Sequence, residues 1–134
     1  MVFRCSHIKK YNLEDRVTTL NGDIQKDDIK DRYDLVLCSN ILHLLPQKQK
    51  VLKKIYTSLN KNGILLILQN NFLEYLQKNQ HTYFYNIISL FQNKDKLDDM
   101  EFSNMILDSG FKSVNSFLSE ESLHINTKVY IAKK

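Results

Sequence analysis

His43 lies in the segment ILHLL, a few residues after Ser39 and Asn40, which follow the apolar run Tyr33–Cys38 (YDLVLC). A histidine there could act as general base toward a hydroxyl or amine. Its flanking leucines favour the plainer reading, a histidine held by packing. Ligands of open α/β sheets bind just outside the carboxyl ends of the strands, which would put Ser39 and Asn40 at a cleft. Asn40 could equally cap the loop. Gln69, Asn70 and Asn71 end a second apolar run, ILLIL, and could face the same cleft. His81 and the cluster Tyr83, Phe84, Tyr85 could enclose a flat small molecule, or cover a sheet or an interface. His7 and His124 carry no spacing signal. No two histidines have metal-ligand spacing, so no metal is expected.

These residues need elements to position them. Residues 2–11 read as the end of a helix, and 16–20 (RVTTL) as a strand with β-branched residues at its centre. Tyr33–Cys38 and 64–68 are short apolar strands of the kind covered on both faces, which points to parallel pairing. Between them Pro46 opens a helix, where its missing N–H costs nothing. Val51, Leu52, Ile55, Tyr56 and Leu59 recur at helical spacing on one face of it. Asn62-Gly63 stops that helix, with Gly63 in the left-handed region. A helix between two apolar strands makes a right-handed parallel crossover. Residues 72–91 and 97–109 read as helices, with Asp98 and Asp99 favouring the start of the second and Gly110 ending it. Residues 112–118 and 127–132 alternate apolar and polar and close as an antiparallel pair.

A length of 134 residues fits one domain, and 43% hydrophobic with 25% charged residues fits a globular protein. The net charge of +4 is spread along the chain. It does not form the basic stripe of a nucleic-acid binder, and Lys48, Lys50, Lys53 and Lys54 read as a solvated helix face. Cys5 and Cys38 make neither a disulfide framework nor a metal site, and Cys38 reads as a small core hydrophobe. No run approaches the ~20 apolar residues of a membrane helix, and the N-terminus has no apolar core of signal-peptide length. No membrane contact, no nucleic acid and a cytoplasmic location are therefore expected.

Several segments together resemble the class I S-adenosylmethionine-dependent methyltransferases. RVTTLNGDI is similar to that family's third strand and the Gly-Asp after it. YDLVLCSNILHLL is similar to its fourth strand and loop. VLKKIYTSLNKNGILLIL is similar to the following helix and fifth strand, with Lys61-Asn62-Gly63 in place of the usual Pro-Gly-Gly. ILDSGFKSVNSF is similar to a helix and strand near the family's C-terminus. The resemblance implies S-adenosylmethionine as cofactor. It assigns Asp23 to the adenine amine and Ile24 to the adenine ring. It places Ser39 and Asn40 beside the methionine part, and His81 and Tyr83 on the side of a small-molecule acceptor. The competing reading of Asp23 is a β-hairpin, since Asn-Gly between strand-like runs is a strong turn signal, although residues 25–32 have almost no strand character. His43 is the candidate catalytic base.

The departure from the family is a missing piece. Gly22, Gly63 and Gly110 are the three glycines, far apart, and no G-x-G-x-x-G loop can be built from them. A βαβ unit takes ~30 residues, and fifteen precede Arg16. The expected fold is α/β: a partial Rossmann-like methyltransferase fold without its first two strands, with a mostly parallel sheet and a C-terminal antiparallel pair. Residues 1–134 would form one truncated domain. In the family's sheet, order 3-2-1-4-5-7-6, removing the first two strands leaves Tyr33–Cys38 at an edge. An apolar edge strand invites pairing, so a second protein chain or second copy is expected to dock there. The function expected is one subunit of a split or heteromeric methyltransferase whose partner supplies the glycine loop. A non-catalytic regulatory subunit and a fragment of a longer enzyme are the alternatives.

Overall fold

The computed structural model describes residues 8–70, 98–120 and 126–134. Four strands form one mixed sheet: β1 (Tyr33–Ser39), β2 (Leu59–Asn70), β3 (Ser113–Glu120) and β4 (Asn126–Lys133). Their order across the sheet is β1-β2-β4-β3. Among the described residues two α-helices, α1 (Lys48–Ser58) and α2 (Asp99–Asp108), lie between the strands in sequence. The β1-α1-β2 crossover is parallel, Leu35 to Ser39 pairing in register with Ile64 to Leu68. The other two ladders, β2 with β4 and β3 with β4, are antiparallel. The expected mostly parallel sheet is thus corrected. β1, β2 and β3 share one direction, but the returning strand β4 inserts between β2 and β3 and reverses both of its ladders.

One core lies under the helices. Val51, Leu52 and Ile55 of α1 and Phe102 and Ile106 of α2 pack with Leu65 and Ile67 of β2 and Tyr130 and Ala132 of β4. Leu52, Leu65, Ile67 and Ile106 are fully buried. Each such side chain contributes about 1.5–3 kcal/mol relative to exposure. Cys38 is buried in this core as its apolar setting suggested, and desolvation pushes its thiol up to about 11. α2 begins with a capping box: Asp98 accepts from the Glu101 N–H, and Glu101 accepts from the Asp98 N–H. The Tyr130 hydroxyl donates to Asp99 at 2.7 Å, and Lys128 pairs with the same carboxylate at 2.6 Å. The start of α2 is thereby tied to β4.

Three local expectations are revised. Residues 16–20 form no strand. Residues 14–16 make a turn, 17–20 are irregular, and Val17 and Leu20 are exposed. A strand needs a neighbour for its N–H and C=O groups, and among the described residues none lies beside this segment. Pro46 precedes α1 by two residues rather than opening it. The stop at Asn62-Gly63 also differs. α1 ends at Ser58, with Leu59 extended at its C-cap, and the chain bulges before rejoining β1 at Ile64. Asn62, not Gly63, takes the left-handed conformation, at φ 63°. Gly63 serves close approach instead, because a Cβ there would stand 2.9 Å from the Asn60 carbonyl oxygen. The helix 72–91 and the aromatic cluster within it lie outside the described residues.

Gly110 does adopt a conformation reserved for glycine, φ 113°, with the Tyr56 ring against it. Tyr56 also meets Phe111 edge-on at 5.3 Å and carries the Lys134 ammonium 4.7 Å above its ring. Lys134 then donates to the Tyr56 and Leu59 carbonyls at the end of α1, satisfying groups that a helix terminus leaves open. Gly110→Ala should lower stability by at least ~1–2 kcal/mol, because it adds a strained φ to a clash with Tyr56. Chemical denaturation measures this, and an unchanged midpoint would remove the strain argument.

Candidate functional site

The site is built on the carboxyl edge of the parallel pair. β1 ends at Ser39, which is exposed. Asn40 then turns left-handed, φ 51°, while its N–H still donates to the Leu68 carbonyl at 2.8 Å. Asparagine tolerates this region better than most residues, so the chain can leave β1 abruptly without losing its last ladder bond. It enters a single 3-10 turn, Leu42–Leu44. Leu42 is buried and Leu45 packs on the core, while His43 between them is exposed. The leucines thus anchor the turn, as the plainer reading required, yet the anchoring turns the imidazole outward. Exposed Ile41 and Leu44 flank it.

Desolvation and the nearby Lys48 charge both lower the His43 pKa from its ordinary 6.5. Both effects favour the neutral ring, in which one nitrogen is free to accept a proton. Ser39, Asn40 and His43 are brought into one continuous turn. β2 is parallel to β1, so its end, Gln69 and Asn70, opens on the same edge.

Asp23 and Ile24 sit on a different turn. Asp23 accepts the Gln25 N–H at 2.9 Å through Oδ1, its carbonyl accepts from Lys26 and Asp27, and its own N–H donates to the Asp27 carboxylate at 2.7 Å. The hairpin that Asn21-Gly22 signalled does not form; the turn lies just after it, at residues 24–26, with no strand beside it among the described residues. The Gln25 N–H, helped by Lys26 and Lys54, holds the Asp23 carboxyl below its ordinary value. Its side chain stays 42% exposed. A carboxylate has about four acceptor sites, so room remains for a further donor. Ile24 is half-buried and packs on the core.

The turn is fastened by a residue that the sequence reading left on a solvated face. The Lys54 ammonium donates to the carbonyls of Ile24, Gln25 and Asp27 at 3.3, 3.2 and 2.8 Å. Its spacing on α1 gave no sign of this, because its partners lie nearly thirty residues away in sequence. His81 and Tyr83 lie outside the described residues. Among the described residues no group of three or more His, Cys, Asp and Glu side chains could hold a metal ion. No helix among them is long and apolar enough to cross a membrane.

Two measurements check this geometry. The His43 midpoint, followed by NMR, should lie below 6.5 and rise in Lys48→Gln. A depressed folded pKa means that the unfolded chain binds the proton better. The stability linked to His43 is then complete above its unfolded value and lost as pH falls through the folded one. A midpoint at or above 6.5 would contradict the assignment. Lys54→Met should speed amide exchange at Gln25 and Asp27 and cost on the order of 1 kcal/mol; unchanged exchange would show that the turn holds itself.

Comparison with known proteins places this arrangement. A family model described as a methyltransferase domain matches residues 2–114. The carboxy-S-adenosyl-L-methionine synthase of Photobacterium profundum is 30% identical over 105 residues, which are 77% of this chain and 42% of that protein. Among solved structures, the S-adenosylmethionine-dependent methyltransferase SibL, in its apo form, superposes with a TM-score of 0.73 at 18% identity. It covers 97% of this chain and 39% of its own. The methyltransferase CalH, in complex with SAH, gives 0.68 at 20% identity, covering 98% and 40%. The chain thus spans about two-fifths of the length of the proteins it resembles. With the left-handed turn after a parallel edge strand and the crossover beneath it, these matches identify the chain as a member of the class I S-adenosylmethionine-dependent methyltransferase family.

Proposed function

We propose that this chain supplies the adenine-side and acceptor-side residues of a methyltransferase that uses S-adenosylmethionine to methylate a small molecule. A glycine-rich loop would come from a partner chain. The observation that carries the reading is the position of β1. It stands at the sheet edge, next to no strand on its outer side among the described residues, while its carboxyl end bears Ser39, Asn40 and His43. A sheet of order β1-β2-β4-β3 corresponds to the family's order with its first strands removed. On this reading residues 1–134 act as one truncated, Rossmann-like domain, and the missing strands pair along β1.

The residues present fit part of the cofactor. Asp23 keeps open acceptor positions beside its turn, suited to the adenine amine, and Ile24 offers apolar surface to the ring. Ser39 and Asn40 stand at the carboxyl edge, where the methionine part would lie. The backbone cradle that glycines provide is not among them, as Gly22, Gly63 and Gly110 stand far apart in the sequence. S-adenosylmethionine supplies an electrophilic methyl group on a sulfonium. His43, neutral and exposed, would take the proton of an acceptor hydroxyl or amine. The apolar flanks Ile41 and Leu44 would line the acceptor side, and His81 and Tyr83 are assigned to it from sequence. Positioning of donor and acceptor would carry most of the rate.

Calorimetry with S-adenosylmethionine tests the reading, on this chain alone and mixed with the protein encoded beside it. Binding in the mixture only is expected. Tight binding by the lone chain would overturn the need for a partner, and no binding in either case would favour a regulatory subunit. In the mixture Asp23→Ala should weaken binding by about tenfold or more, as loss of a charged hydrogen bond of ~1.5–3 kcal/mol requires. An unchanged affinity would remove Asp23 from the site.

A further inference from the structure

Residues 23–27 make one hydrogen-bonded turn, in which the Asp23 carbonyl accepts from the N–H groups of Lys26 and Asp27. A single turn leaves its later carbonyls open, and three of them converge. The oxygens of Ile24, Gln25 and Asp27 stand 3.3, 3.2 and 2.8 Å from the Lys54 ammonium. Convergent carbonyl dipoles repel one another, so such a cluster is favourable only around donors or a positive charge. An ammonium supplies both, and its three donors match three carbonyls one to one. The Asp28 carboxylate, 4.0 Å away and almost wholly exposed, adds charge but no hydrogen bond. Clusters of carbonyl oxygens also replace the water around a potassium ion, whose size is close to that of ammonium. Lys54 reaches this point from α1, whose Val51, Leu52 and Ile55 are locked in the core, so a rigid element holds the charge in place.

The same contacts reach Asp23 through two successive peptide units. In the unit that joins Ile24 to Gln25, the oxygen accepts from Lys54 and the N–H donates to the Asp23 carboxylate at 2.9 Å. In the unit that joins Gln25 to Lys26, the oxygen accepts from Lys54 and the N–H donates to the Asp23 carbonyl at 2.9 Å. Each unit is gripped at both ends, and a charge at its oxygen strengthens its N–H as a donor. We propose that residues 24–27 form a monovalent-cation site whose occupant is the tethered Lys54 ammonium, and that Lys54 acts through it as a positioning residue for the Asp23 carboxylate. The cation site stands on this geometry alone, whereas its bearing on the cofactor rests on the proposed function.

Lys54→Met removes the charge and keeps an apolar stem. Amide exchange at Gln25 and Lys26 should quicken about fivefold, and the Asp23 carboxyl midpoint, followed by NMR, should rise. Potassium or ammonium chloride should reverse both changes. Tetramethylammonium chloride at the same ionic strength should not, since that ion is too large for the site and lacks an N–H; the contrast separates occupation from screening. Slow exchange at Leu65 and Ile67 shows that the variant keeps its sheet, and Lys54→Gln takes its place if protection is lost throughout. Unchanged exchange, a change that neither potassium nor ammonium reverses, or one that tetramethylammonium reverses equally would overturn the cation site. The positioning role is read from S-adenosylmethionine binding, in the mixture with the protein encoded beside this chain. Lys54→Met should weaken binding several-fold in the native background and change it little in Asp23→Ala, because it acts through that carboxylate. Equal losses in both backgrounds would overturn the positioning role. The exchange and midpoint measurements need no cofactor, so a mixture that binds none counts against the proposed function and not against the cation site.

Discussion

The parallel ladder between β1 and β2, roofed by α1, is the constraint on which the rest of the structure depends. Leu65 and Ile67 are fully buried between that helix and the sheet, so β2 cannot shift by one residue without turning them to the other face. That register fixes where β1 ends and places Asn40 opposite the Leu68 carbonyl. It thereby sets the left-handed exit that carries His43 outward. The same register aligns Gln69 and Asn70 with the carboxyl edge, so the chemistry-bearing residues gather there because of apolar packing several residues below them.

Much of this was legible in the sequence because apolar periodicity reports burial directly. The alternation of apolar runs with a helical stripe marked β1, α1 and β2, and Asp98 marked the start of α2. Strand order came from the family resemblance and not from any local pattern: the order 3-2-1-4-5-7-6 already carries the insertion of β4 between β2 and β3, a long-range choice that periodicity does not encode. Residues 16–20 failed for a related reason. Their β-branched composition states a preference, but a strand exists only beside another. At the site, the outward position of His43 was hidden because its leucine neighbours pointed to packing. They do pack, and by packing they fix the turn that exposes it. Lys54 was misread because its three carbonyl partners lie far away in sequence.

The turn at Asp23 and the turn at His43 hang on different supports. The first is held by its own hydrogen bonds, by Lys54 of α1 and by Ile24 on the core, the second by two buried or half-buried leucines and a ladder bond. Polar fastening of the first kind responds to charge and solvent, whereas apolar anchoring of the second kind does not.

The central place of β4 has a consequence for how the chain reaches this state. β2 and β3 are not neighbours, and β3 joins the sheet only through β4, which follows both in sequence. Until residues 126–133 are available, α2 lacks Tyr130, against which Phe102 packs edge-on at 5.0 Å, and β3 has no ladder at all. The β1-α1-β2 unit can form from local contacts, but the second half must wait for pairings that join Ile64 to Lys133. Such non-local closure slows folding. A chain emerging from a ribosome would thus hold one finished crossover and one unfinished flank until its last strand slid between its neighbours.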